Sequence, residues 1–194
     1  MKPDVKWENE KRLSSFQTAP LFGSQGMKKI KVALPFPDEP GTYFLAFSLE
    51  KPGEYRVGRF PPVFLPEGLY FYTGSAWGQG GLRARLGYHL RVPAHPHWHL
   101  DWLKPYLTLL GAGWREGVHA ECDWAQALIA HPQAGVPLPG FGASDCSRQC
   151  SAHWVFFGTM GGHHAWRKIV EETLAKLLDA PAGFWSSDIA GSMD

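Results

Sequence analysis

Leu69-Tyr70-Phe71-Tyr72-Thr73-Gly74-Ser75, followed by Gly78-Gln79-Gly80-Gly81 and then by Leu82, Leu86 and Leu90, governs how the chain folds. Aromatic residues and Thr favour a pleated strand, and glycine halts it. The leucines recur every four positions, which is the spacing of one helix face. Arg85 and His89, also four apart, share the neighbouring stripe. A strand, a glycine elbow and a helix need further elements to bury them. Upstream, Tyr43-Phe44-Leu45-Ala46-Phe47-Ser48-Leu49 reads as a strand, with a turn at Pro52-Gly53 and a short edge piece at Tyr55-Arg56-Val57-Gly58. Downstream, a short helix from near Trp98 must end or kink by Pro105. Leu107-Thr108-Leu109-Leu110 is a third strand and Trp154-Val155-Phe156-Phe157 a fourth candidate. Residues 120–131 form an amphipathic helix with Ala125, Leu128 and Ile129 inward. Residues 164–180 close the chain as another, with Trp166, Ile169, Val170, Leu174, Leu177 and Leu178 on one side. Strands interleaved with helices give a mixed α/β (α+β) class.

The composition bounds the function. A hydrophobic fraction of 44% with 12 Phe and 9 Trp rules out wholesale disorder. Lys+Arg 19 against Asp+Glu 18 leaves a net charge of +1, so any nucleic-acid contact needs a local basic patch. Three cysteines cannot build a disulfide framework. No stretch approaches the ~18 apolar residues of a membrane span, and Met1 to Arg12 lacks the apolar core of a signal peptide. The expectation is a soluble, cytoplasmic domain at 28–160. A flexible extension at 1–27 precedes it, and a C-terminal helix and tail at 161–194 follow.

Three segments gather unusual polar residues. Tyr43 and Tyr72 each lie near a glycine, and their phenols converge if the two strands pair, although tyrosine also simply favours strands. Arg83, Arg85, His89, Arg91, His95, His97, His99 and Asp101 combine phosphate-matching guanidiniums with imidazoles that carry protons near neutrality. For Arg83, Arg91 and His95 a solvated basic face is the plainer reading. His97, His99 and Asp101 are also conceivable metal ligands, but no fourth ligand is obvious. Glu121 falls on one helical stripe with Ala125 and Leu128. A carboxylate there needs a partner, either a hard cation or an arginine, or serves the helix N-terminus.

In chain order, Gly41-Thr42-Tyr43, Tyr72-Thr73-Gly74-Ser75-Ala76, Arg85 with His89, and Glu121 resemble the GIY-YIG nuclease superfamily. Longer strings are similar to its branch catalogued as domain of unknown function 123, found alone or fused to endonuclease III-like proteins. These are Gly81-Leu82-Arg83-Ala84-Arg85-Leu86-Gly87-Tyr88-His89-Leu90-Arg91, His97-Trp98-His99-Leu100-Asp101-Trp102-Leu103, Glu121-Cys122 and Gly140-Phe141-Gly142-Ala143-Ser144-Asp145-Cys146. The resemblance spans 41–158 and implies a small three-stranded antiparallel sheet flanked by helices. It implies a Mg2+- or Mn2+-dependent endonuclease acting on DNA, structured or damaged, with no membrane partner. Tyr43 and Tyr72 would supply phenols, Arg85 would hold the scissile phosphate, and Glu121 would be the single carboxylate on the metal. His97, in preference to His89, would shuttle a proton. Gly74, Ser75, Arg83, His89 and Asp145 would line the substrate, Asp145 standing near where many members carry an asparagine. Thr42 replaces the family's isoleucine and suits a strand equally well.

Cys146, Cys150 and His153 form a C-x3-C-x2-H cluster that is a candidate structural zinc site, with Cys122 as a fourth ligand by folding and reduced, packed cysteines as the alternative. The branch usually carries its cysteines closer together. Besides the nuclease, two other functions fit the same residues. One is a non-catalytic nucleic-acid-binding module on the same scaffold. The other is a zinc-stabilised interaction domain.

Overall fold

Strand β1 (Gly41–Leu49) is buried along almost its whole length, so it must be covered on both faces and paired on both edges. In the computed structural model, which describes residues 34–158 and 164–187, that is its position. It pairs antiparallel with β4 (Gly68–Ser75) on one edge and β5 (Leu107–Glu116) on the other. The chain also forms β2 (Gly53–Tyr55) and β3 (Val63–Leu65), which make a separate two-stranded ribbon. The expected extension at 1–27 lies outside the described residues.

The sheet is wider than the three strands expected. β7 (Trp154–Phe157) adds to the free edge of β4, β6 (Ala134–Gly135) adds to β7, and β8 (Gly183–Ser186) adds to β5. The result is a six-stranded antiparallel sheet in the order β6-β7-β4-β1-β5-β8. The physical reason is at the edges. β4 and β5 are largely buried, and an uncovered edge there would leave rows of N–H and C=O groups unpaired. The three expected strands are the centre of this sheet.

Alternation along β1 sorts the core into two layers. Tyr43, Leu45, Phe47 and Leu49 share a face with Tyr70 and Tyr72 and pack against Leu82 and Leu86 of α1 (Gly81–His89), with Leu100, Leu103, Phe141 and Trp154. Phe44, Ala46, Leu69 and Phe71 face the other way. They pack on Trp124 and Leu128 of α2 (Glu121–Ile129) and on Trp166, Ile169 and Val170 of α3 (Ala165–Thr173). The closing helix is shorter than its pattern predicts. It gives way to a 3-10 turn at Leu174–Lys176, and Leu178, expected inward, is 95% exposed. The short helix after Trp98 is two 3-10 turns, His99–Trp102 and Lys104–Tyr106, interrupted at Leu103, and Pro105 sits inside the second turn rather than at the break. Among the described residues no helix is long and apolar enough to cross a membrane.

Candidate functional site

The start of β1, the end of β4 and the start of β7 meet at one end of the sheet. Tyr43 lies opposite Gly74, and a side chain at Gly74 would collide with the Tyr43 phenol, so the glycine makes room for the ring rather than for an anion. Tyr72 lies diagonally across on the same face, its ring centroid 6.4 Å from that of Tyr43. His89, the last residue of α1, reaches both: Nε2 is 2.9 Å from Tyr43 Oη, and its ring lies 5.9 Å from that of Tyr72. Burial, with the Glu121 charge added to it, drives both phenols well above their usual range, so both are neutral. Burial, helped by the cations Lys104 and Arg85, also pushes His89 well below the usual histidine range. The neutral imidazole can therefore accept the Tyr43 hydrogen bond at Nε2.

Arg85 lies one helical turn before His89. Its guanidinium carbon sits 4.5 Å over the Trp98 ring, a cation–π contact. It lines an open cleft with Ala76, Gly78, Gln79, Tyr88 and Trp98. The Trp98 backbone is fixed from behind by Asp101. Asp101 Oδ2 accepts from Tyr88 Oη at 2.6 Å, from Trp98 N at 2.9 Å and from His97 N at 3.0 Å. Oδ1 pairs with Lys104 Nζ at 2.8 Å, and both side chains are buried. Burial works against the Asp101 charge, but these donors outweigh it and hold the carboxyl down to about 2. Lys104 and Tyr88 were not among the sequence candidates; the pairing of Asp101 with Lys104 three positions on was the signal available.

Glu121 opens α2 and is partly open to water, its side chain 25% exposed. Its Oε1 lies 2.8 Å from His153 Nδ1, the residue before β7. Its charge acts on both Tyr43 and Tyr72, as does that of Arg85 with the opposite sign. Tyr43, Tyr72, Arg85, His89 and Glu121, dispersed along the chain, therefore share one electrostatic neighbourhood. Asp145, exposed on the loop before β7, acts on Tyr72 and His99, and Ser75 ends β4 half-buried opposite Thr42.

Two candidates are placed elsewhere. His97 is exposed on the proline-broken loop with its ring edge-on to Trp98, so the histidine in contact with the phenols is His89. Arg83 is committed to the chain before β1: Nη1 pairs with Asp38 at 2.8 Å and Nε donates to the Phe36 carbonyl at 2.8 Å. The His97, His99 and Asp101 metal set also dissolves. His99 Nδ1 accepts from Gly142 N, and Asp101 is consumed by Lys104 and Tyr88.

Beside Glu121, Cys122, Cys146, Cys150 and His153 bring their ligand atoms within 4.8 Å of one another, a group that could hold a metal ion such as zinc. All three cysteines are free thiols. Cys122 Sγ lies 3.5 Å from Cys146 Sγ and 3.9 Å from His153 Nε2. Tetrahedral zinc with bonds of about 2.3 Å places its ligands about 3.8 Å apart, so the set fits with little movement.

Residues 42–177 match the family described as Domain of unknown function DUF123, and the chain belongs to that family. No curated protein and no solved structure matches it.

Proposed function

We propose that this DUF123 protein is a metal-dependent endonuclease that hydrolyses phosphodiester bonds in DNA, with its chemistry laid out as in the GIY-YIG nucleases its motifs resemble. The observation that carries the proposal is the meeting of two buried phenols, an imidazole, a cleft-lining guanidinium and a water-accessible carboxylate at one end of the sheet. Five such groups are more than a strand pairing requires, and burying polar groups without a use costs stability.

Each residue has a task that its surroundings allow. Arg85, whose guanidinium carbon lies over the Trp98 ring, would grip a non-bridging phosphate oxygen and neutralise the charge that grows there during attack. Tyr72 and Tyr43 are neutral hydroxyls, so they would orient the attacking water rather than deprotonate it outright. The water's proton would leave along the Tyr43 Oη to His89 Nε2 contact, since His89 is the neutral base touching the phenols. Glu121 would hold a Mg2+ or Mn2+ ion, because of the two described carboxylates acting on both tyrosines it is the partly exposed one, whereas Asp101 is buried against Lys104. One carboxylate, a substrate phosphate and retained waters suit Mg2+, and such an ion stabilises the leaving oxygen.

The test is incubation of the purified chain with end-labelled duplex, nicked and branched DNA in Mg2+, Mn2+ or EDTA, beside Glu121→Ala. Cleavage of at least one substrate that needs the cation and is lost in the variant is expected. Salt-sensitive binding of every substrate with no cleavage under any metal would instead make the protein a non-catalytic binding module.

A further inference from the structure

We infer that the Cys122–Cys146–Cys150–His153 group is a zinc site and that Glu121 is its outer-shell carboxylate, so that the zinc centre positions the acid of the proposed nuclease. The positioning half rests on the nuclease proposal; the zinc site and its link to Glu121 do not.

The ligands come from two elements that folding alone brings together. Cys122 is the second residue of α2, and Cys146, Cys150 and His153 lie on the loop entering β7. In the loop Gln149 takes a left-handed conformation at φ 55°, and its N–H closes a turn on the Cys146 carbonyl at 3.2 Å. Arg148 pairs with Asp123 of α2 at 2.7 Å, which fastens the loop to the helix that supplies the fourth ligand.

His153 decides the coupling. Nε2 faces Cys122 Sγ, while the other ring nitrogen, Nδ1, meets Glu121 Oε1 at 2.8 Å. A metal-binding imidazole that passes its second N–H to a carboxylate is held in one tautomer and one orientation. The same contact works in reverse. With His153 anchored by zinc, Glu121 is fixed by one oxygen and keeps the other for the cation and phosphate. Because Cys122 follows Glu121 directly, the zinc grips the acid's helix terminus twice, through the chain and through the ring.

The experiment uses the full chain in two arms. Metal analysis of the purified protein should give one zinc per chain. After chelation under reducing conditions, Co2+ should restore a tetrahedral d–d spectrum with sulfur-to-metal charge transfer, and Cys150→Ser should lose intensity in the latter. Glu121→Gln should keep the metal but weaken zinc binding roughly 10- to 100-fold and shift the Co2+ bands, because only the bond beyond the first shell changes. Absence of zinc with no Co2+ spectrum, or a Cys122–Cys146 disulfide in the protein as purified, overturns the site. Zinc affinity and Co2+ bands unaltered by Glu121→Gln overturn the coupling. DNA cleavage is measured separately. If cleavage is absent while the spectra behave as stated, the nuclease proposal fails and the zinc–Glu121 link stands. If cleavage is present, it should fall with zinc removal and return with zinc.

Discussion

Asp101 shows how much one side chain can hold. It satisfies a buried lysine, a tyrosine hydroxyl and two backbone N–H groups, and through Trp98 it sets the ring under Arg85. Its pKa is depressed in the folded chain, so its stabilisation is full above its unfolded value of 3.8 and is lost as the pH falls toward about 2. That difference amounts to about 2 kcal/mol. Asp101→Asn strands the buried Lys104 charge, and an unpaired buried charge costs about 3–5 kcal/mol. Urea unfolding at pH 7 should show a loss of that size, and the acid-induced loss between pH 4 and 2 should become shallower than in the parent. Equal stability at pH 7 would mean that Lys104 finds water and the network holds nothing. The residues of the site were legible by type more than by position. Tyr43, Tyr72, Arg85 and Glu121 stand out in the sequence and do gather. His97 was preferred to His89 by counting along the chain, but His97 lies exposed on the loop, whereas His89 is buried at the end of the helix that carries Arg85.

At the level of elements, β1, β4 and α1 were legible because their patterns agree with their burial. β5 was not legible in full. Only Leu107–Leu110 reads as strand, yet pairing continues to Glu116 through Gly111, Ala112 and Gly113. Glycine normally weakens a strand. Here it is required, because a side chain at Gly111 would enter the Trp166 ring of α3 and one at Gly113 the ring of Phe44. The glycines are holes cut for aromatics on a neighbouring element, which no local pattern reveals. β8 was missed for a related reason: Gly183–Ser186 has little strand character alone and is a strand by pairing with those same residues of β5. Gly111→Val should therefore lower stability by about 1–3 kcal/mol despite valine's better strand propensity. Thermal unfolding checks this, and a rise in Tm would show that Trp166 has room to move.

At the scale of the whole molecule, the sheet is a two-faced platform with helices packed on both faces, and the candidate site gathers at one end. Helices α1 and α2 lie in opposite layers, yet the last residue of the first and the first residue of the second supply His89 and Glu121 to that end. The widening from three strands to six serves this arrangement directly, since the loop that enters β7 ends on His153 and brings with it the contact to Glu121. The central claim is that these groups act together on a phosphodiester. The most direct measurement is the single-turnover cleavage rate, in saturating Mg2+, of the parent chain beside Arg85→Ala and Tyr72→Phe, with unfolding curves for all three. The account predicts cleavage by the parent and a fall of about 10²–10³-fold for Arg85→Ala, the usual loss when a donor to developing charge is removed. It predicts a smaller fall for Tyr72→Phe, with all three unfolding alike. Cleavage by Arg85→Ala at the parent's rate, or none by the folded parent in any divalent cation, would contradict it.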